Sequence, residues 1–212
     1  MGSSFKKDLR NEQLLGSYLD EIYCEIFDPQ DIDITRITDY DKQNSGIDLS
    51  IHHIQSSKTF NVDEKAQLDY INIDLPTFAF EISYLKQGEY RQGWLFDKSK
   101  VTHYYFLVTA IHTKKDQDIS KGIESVKIHS VNRFKLIQLL EEKGLSQRII
   151  EGYEKEIRNG SQFGAIEIEE LNNKKEGVFY YSKNNKTESP INIVLKLSYL
   201  VKSGVGKVIF GS

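Results

Sequence analysis

Three charged residues in one short stretch of this sequence have a spacing that suits metal chemistry. Asp48 is followed, after fourteen intervening residues, by Asp63, and Lys65 stands two positions further on. Two carboxylates held close together repel each other, and a divalent cation relieves that repulsion. We therefore expect Asp48 and Asp63 to hold Mg²⁺ or Mn²⁺, and Lys65 to orient the attacking water or stabilise developing negative charge. Hydrolysis of a phosphodiester needs these parts.

The chain around these residues predicts a β-hairpin that would bring them together. Residues 46–54 alternate apolar and polar side chains, residues 55–57 are a turn of hairpin length, and residues 58–68 form the partner strand. Residues i and i+2 of a strand share a face. Cross-strand neighbours approach to about 5 Å between Cβ atoms. Positions 48 and 63 are therefore expected to lie opposite each other or nearly so.

The other elements predict an α/β (α+β) fold with a central mixed sheet flanked by helices. Apolar residues at helical spacing predict a first helix over about residues 5–27, and residues 39–46 have the composition of a turn. Ser189-Pro190 either starts a helix or precedes a strand. Further strands are expected over residues 32–38, 78–84, 103–112, 125–131, 177–181, 191–197 and 207–210, and further helices over residues 132–144 and 146–158.

Length and composition favour a single domain in a reducing compartment. The chain has 212 residues, of which 39% are hydrophobic and 28% charged, and its net charge is −3. We expect one domain over residues 1–212, with a core over about 5–131 and C-terminal helices and strands over about 132–212. The single cysteine, Cys24, excludes an intramolecular disulfide. Without an apolar leader or an 18-residue apolar run, we expect a cytoplasmic protein with no membrane partner.

The hairpin residues resemble the motif of the PD-(D/E)xK nuclease superfamily, which has the restriction-endonuclease-like fold. The resemblance is carried by Gly46-Ile47-Asp48, by Asp63-Glu64-Lys65 and by Gln67. It implies that Asp48, Asp63 and the main-chain carbonyl of Glu64 bind the metal, that Lys65 serves the water, and that Gln67 contacts the active site. Ile47 stands where the motif has proline. Less specifically, the order of elements from the first helix to the strand at Tyr104 resembles the core of the family.

Many members of this superfamily place a glutamate from the first helix near the metal. Glu12 matches that position better than Glu21, and Glu81 is a further candidate. The resemblance implies a nuclease acting on nucleic acid, with DNA as the expected substrate, and a homodimer as one possible assembly. The alternative is a catalytically silent binding or interaction protein with a nuclease fold. A third interpretation is an unrelated α+β protein whose hairpin acids face away from each other.

Other signals are weaker or fail. Arg36, Gln43 and Arg91 are candidates for phosphate contacts, although such side chains are most often solvated. Trp94 is expected to pack in the core rather than to stack on a base. The five histidines lack the spacing of a zinc hydrolase, and the glycines at 204 and 206 do not complete a phosphate-binding loop.

Overall fold

The computed structural model describes residues 2–182 and 188–211, with side chains from residue 9 onward. The helices are α1 (Gly2–Ile26), α2 (Tyr40–Asn44), α3 (Arg133–Glu142), α4 (Gln147–Asn159) and α5 (Leu197–Lys202). The strands are β1 (Ile32–Arg36), β2 (Leu49–His53), β3 (Lys58–Ala66), β4 (Thr77–Lys86), β5 (Glu89–Gln92), β6 (Tyr104–Thr113), β7 (Ile123–Asn132), β8 (Gly164–Ile166), β9 (Gly177–Tyr181), β10 (Ile191–Lys196) and β11 (Gly206–Phe210).

A mixed six-stranded sheet forms the centre of the described structure. Its strand order is β1-β2-β3-β6-β7-β11, and only β3 and β6 run parallel to each other. The predicted hairpin is present, with Leu49 opposite Val62 and His53 opposite Lys58. The prediction of a central mixed sheet flanked by helices is therefore confirmed at this level.

A second sheet, which the sequence analysis did not anticipate, lies against the first. It is antiparallel, with strand order β5-β4-β10-β9-β8. The strands predicted over residues 177–181 and 191–197 belong to this sheet as β9 and β10. The strand predicted over residues 207–210 is β11 of the central sheet. The strands β5 and β8 escaped prediction because they are short, and every residue of β5 is exposed.

The two faces of the central sheet are covered by different elements. Helix α1 packs Leu15, Leu19 and Ile22 against one face, which contributes Val62 and Phe106. The other face contributes Tyr105 and Leu107 to a larger core shared with the second sheet, α3 and α4. Side chains alternate along β3, so the two faces of this strand reach two separate environments.

The structure corrects one local prediction, decides one open alternative and adds one helix that was not predicted. Residues 40–44 form a short helix rather than a turn, because the Asp39 side chain accepts a hydrogen bond from the Lys42 amide and caps the first turn. Ser189-Pro190 precedes strand β10 rather than a helix, since alternate residues from Ile191 onward are buried. Helix α5 was missed because its apolar residues continue the strand before it. None of the described helices is long and apolar enough to cross a membrane.

Candidate active site

Asp48 forms hydrogen bonds with Val62 and Glu64, the two residues of β3 that flank Asp63. Its main-chain N–H donates to the carbonyl of Val62, and its Oδ2 accepts from the main-chain N–H of Glu64; both bonds are 2.8 Å long. Strand β2 begins one residue later, at Leu49. The Asp48 carboxylate therefore takes the place of a strand partner where the β2–β3 ladder ends. This arrangement holds its carboxylate next to that of Asp63.

The amine of Lys65 completes the cluster. Lys65 Nζ forms an ion pair with Asp63 Oδ1 and lies 5.4 Å from the centroid of the Trp94 ring. Asp63 is 3% exposed, whereas the Lys65 side chain is 29% exposed. Asp48 is half-buried as well. The structure thus brings together Asp48, Asp63 and Lys65, with solvent reaching the cluster from the side of Asp48 and Lys65.

The surroundings of Asp48, including Asp63, favour its protonated form. Burial raises the pKa of Asp48 to about 7, and the negative charge of Asp63 adds to this effect. The Glu64 amide and the charge of Lys65 act in the opposite direction. A carboxyl group with a neighbouring carboxylate retains its proton because two adjacent negative charges in a poorly solvated place are unfavourable. A divalent cation would remove the same repulsion.

A loop between β5 and β6 closes over the acid pair. Thr102, which is buried, donates from Oγ1 to the carbonyl of Gly46 over 2.8 Å. Gly46 has φ +78°, and a Cβ built there would lie 2.3 Å from Thr102 Oγ1 and 3.6 Å from Asp63 Oδ2. Only glycine allows the chain to pass this close to Thr102 in this conformation. Gly46 therefore matters for the shape of the cluster.

Trp94 has the core position that its residue type predicted. Its ring packs edge-on against Tyr105, with 4.8 Å between the centroids, and contacts Phe80. The Tyr105 hydroxyl donates to the Trp94 carbonyl over 3.3 Å. The contact between Trp94 and Lys65 was not anticipated, because nothing in the sequence places residues 65 and 94 together.

Gln67 lies at the end of β3 but bonds to a different element. Its Nε2 donates to the carbonyl of Thr77, at the start of β4, over 2.9 Å. Its Oε1 is buried and has no hydrogen-bond partner among the described residues. Gln67 therefore links the two sheets beside the cluster, and its contact with bound substrate or metal stays a prediction.

The side chain of Glu64 reaches the opposite face of the sheet. Tyr23 donates from its hydroxyl to Glu64 Oε1, and Arg36 donates from Nη1 to Glu64 Oε2, each over 2.5 Å. Arg36 also binds Asp20 through Nε, at 2.7 Å. Burial lowers the pKa of Arg36, but the hydrogen bonds and charges of Glu64 and Asp20 outweigh burial and raise it.

A sequence signal for this network existed. Val62 and Ala66 flank Glu64 on the apolar face of the strand, where a carboxylate requires a hydrogen-bonded cation. Arg36, taken from the sequence as a candidate phosphate contact, supplies that cation. Gln43 donates to the carbonyl of Ile37, and Arg91 binds Glu89 at the exposed strand β5.

The candidate glutamates are not brought to the acid pair. Glu12 and Glu21 are exposed residues of α1, the helix that packs against the face opposite to Asp63. Glu81 alternates along β4 with Phe80 and Ile82, which point into the core next to Tyr105. Glu81 therefore lies on the outer face of the second sheet.

The donor set suits a cation that keeps most of its waters. Among the side chains that the structure describes, in residues 9–182 and 188–211, no group of three or more His, Cys, Asp or Glu could hold a metal ion. Mg²⁺ is commonly bound by one or two carboxylates together with water and phosphate oxygens. Asp48 and Asp63 meet that requirement, and the main-chain carbonyl of Glu64 stays the predicted further ligand.

Comparisons with protein-family models, with curated proteins and with solved structures found no match for this chain. The case for a function therefore depends on the geometry of the site.

Proposed function

We propose that this protein is a metal-dependent nuclease that hydrolyses phosphodiester bonds in nucleic acid, with DNA as the substrate. The observation that supports the proposal best is the convergence of Asp48, Asp63 and Lys65. The pair of acids would hold Mg²⁺ or Mn²⁺. When bound, the metal lowers the pKa of a coordinated water and neutralises charge on the phosphate.

The residues of this chain would supply the remaining requirements. Lys65 pairs with Asp63 in the structure and offsets part of its charge. A cation on the two carboxylates would release the amine from that role. Lys65 would then hydrogen-bond the attacking water or the phosphate oxygens at the solvent-exposed side of the cluster. The Trp94 ring lies beside this amine, 5.4 Å from Lys65 Nζ to the ring centroid.

The order of elements also supports the proposal. Helix α1 is followed by β1 and the acid-bearing hairpin, and then by β6, which lies beside β3 and parallel to it. This order agrees with the resemblance to the PD-(D/E)xK superfamily seen in the sequence. Strands β4 and β5 of the second sheet are inserted between β3 and β6, and its other strands follow β7 in the chain.

Three lysines near the cluster, interspersed with Asp39, Asp41 and Asp97, are candidates for contacts with the phosphates of a substrate. Lys100 passes beside Gly46, with its Cδ 3.3 Å from the position of a Cβ there. Lys42 and Lys98 are exposed in the segments on either side, α2 and the loop over the acid pair. Lysines at this place can bind the phosphates that flank a reacting bond.

The test is an assay for cleavage with a matched control. Purified protein is incubated with supercoiled, linear and single-stranded DNA in the presence of Mn²⁺ or Mg²⁺. We expect cleavage by the wild type and its loss in Lys65→Ala. Lys127→Ala is the control, because Lys127 also pairs with an aspartate, Asp74, and its side chain is 28% exposed, compared with 29% for Lys65.

Metal binding separates the competing interpretations. Titration with Mn²⁺ should show binding by the wild type and no binding by Asp63→Asn. The control is Glu176→Gln, which should bind Mn²⁺ like the wild type, because Glu176 pairs with Lys143 away from the acid pair. Equal cleavage by wild type and Lys65→Ala would identify a contaminant and remove the support for catalysis. Folded protein that neither binds Mn²⁺ nor cleaves any of the three DNA forms would favour the silent interaction protein.

A further inference from the structure

A cavity at the margin of the central sheet, on the face that α1 covers, differs in character from the acid pair. It has a volume of about 470 Å³ and opens between α1 and β1. Phe27, Ile32 and Ile34 provide apolar lining, and the side chains of Asp20 and Arg36 provide polar lining. Both isoleucines are only half-buried. The sheet therefore leaves apolar surface uncovered at this margin.

The strand that borders the cavity has a free edge. Within the described residues, β1 pairs only with β2 and is the outermost strand of its sheet. Ile37 N–H donates to Asp48 O, and Ile54 N–H donates to Asp31 O, so odd-numbered positions of this segment face β2. The main-chain groups of Ile34 and Arg36 consequently point outward, available to a further strand.

The surroundings of this edge are strongly acidic. The sequence contains no lysine or arginine between Arg10 and Arg36. The same stretch carries the acids Glu12, Asp20, Glu21, Glu25, Asp28, Asp31 and Asp33. Arg36 itself is neutralised by Asp20 and Glu64. A cationic partner would therefore complement this margin, whereas the negative charges here would repel the phosphates of nucleic acid.

We propose that the free edge of β1 binds an extended peptide of alternating apolar and basic residues, which adds to the sheet as a further strand. Strand addition gives main-chain hydrogen bonds, and alternate side chains give specificity. On the cavity side, apolar side chains of the peptide would cover Phe27, Ile32 and Ile34. On the other side, basic side chains would lie beside Asp33. This inference does not depend on the proposed nuclease activity.

The test uses a fluorescein-labelled hexapeptide, Lys-Val-Arg-Val-Lys-Val-amide, and full-length protein in a fluorescence anisotropy titration. We expect saturable binding that weakens as NaCl rises from 50 to 300 mM. Ile34→Pro should weaken binding at least tenfold, because it removes an outward N–H and leaves the β1–β2 ladder intact. Asp33→Asn should weaken binding about threefold, and the exposed Asp41→Asn should not. Thermal unfolding confirms that each variant is folded.

Two control peptides and one measurement of mass decide between the possible occupants. A peptide with glutamate at the three basic positions and a peptide N-methylated at alternate amides should both fail to bind. Equal binding of the N-methylated peptide would overturn strand addition, and equal binding of the acidic peptide would overturn charge recognition. Light scattering that shows a dimer of the wild type but not of Ile34→Pro would make a second copy of the chain the occupant and would also overturn the proposal.

Discussion

The carboxylate of Asp48 accepts a 2.8 Å hydrogen bond from the main-chain N–H of Glu64. This bond gives Asp48 a structural role at the end of the β2–β3 ladder in addition to the proposed role in metal binding. The two roles differ in what they require. The structural role needs one acceptor oxygen, whereas metal binding needs a negative charge beside the charge of Asp63.

Asp48→Asn separates these roles. Asparagine keeps the acceptor for the Glu64 amide and removes a negative charge that burial and, secondarily, Asp63 make unfavourable. In the absence of metal, the variant should therefore be more stable than the wild type at pH 8. We expect a gain of about 1–2 kcal/mol in the free energy of unfolding, because Asp48 is only half-buried and water screens its charge. Urea unfolding with excess EDTA measures the change, and Mn²⁺ titration should show lost binding. A destabilised variant would mean that the charge of Asp48 serves stability.

The pH dependence of stability should show the same repulsion. The folded state holds a proton on Asp48 up to about pH 7, whereas the unfolded chain releases it near pH 4. The folded state therefore binds more protons in this window, and Asp48 should lower the free energy of unfolding as pH rises from about 4 to 7. His129 has the opposite effect on the free energy of unfolding, which it should raise as pH rises towards neutral. Burial and, secondarily, the charge of Lys127 lower its pKa in the folded state.

The difference between wild type and Asp48→Asn isolates this contribution. Thermal melts in EDTA at half-unit steps from pH 4 to 8 should show a gap that widens with pH in favour of the variant. A gap that is constant over this range would contradict a raised pKa for Asp48.

Gly46→Ala tests the close approach of the chain to Thr102. An alanine at φ +78° is strained, and its Cβ would displace the buried Thr102 hydroxyl. We expect a loss of about 2–4 kcal/mol in the free energy of unfolding. Gly204→Ala is the matched control, since its φ is +74° and no heavy atom lies within 4 Å. It should lose only about 1–2 kcal/mol. Equal losses in the two variants would show that the Thr102 side chain can move aside without lowering the free energy of unfolding.

Glu64→Gln tests the network on the other face of the sheet. Arg36 would keep Asp20 but lose the charge of its less exposed partner, and the Tyr23 hydroxyl would lose a charged acceptor. We expect a loss of about 2–4 kcal/mol in urea unfolding, because breaking a largely buried pair leaves a poorly solvated charge. Asp20→Asn, with the Asp20 side chain 44% exposed, should cost less than about 1 kcal/mol. If Asp20→Asn cost more than Glu64→Gln, the more exposed Arg36–Asp20 pair would be the main source of the stabilisation.

The local elements of the fold could be predicted from the sequence, because their signals are local. The apolar stripe of α1, the alternation of β2 and β3, and the Asn132 cap of α3 all appear in the structure at or near their expected positions. The second sheet could not be predicted in the same way. Its strands come from distant parts of the chain, and their pairing depends on contacts that no short window of sequence contains.

The sequence by itself determined that Asp48, Asp63 and Lys65 share a hairpin, since strand periodicity and turn length set which residues meet. Tertiary structure decided what surrounds them. It placed Trp94 against Lys65, brought Thr102 against Gly46, and left Glu12 on a helix behind the sheet. The physical reason is that a strand has two faces, and only the packing of helices and of the second sheet on those faces fixes the surroundings of each side chain.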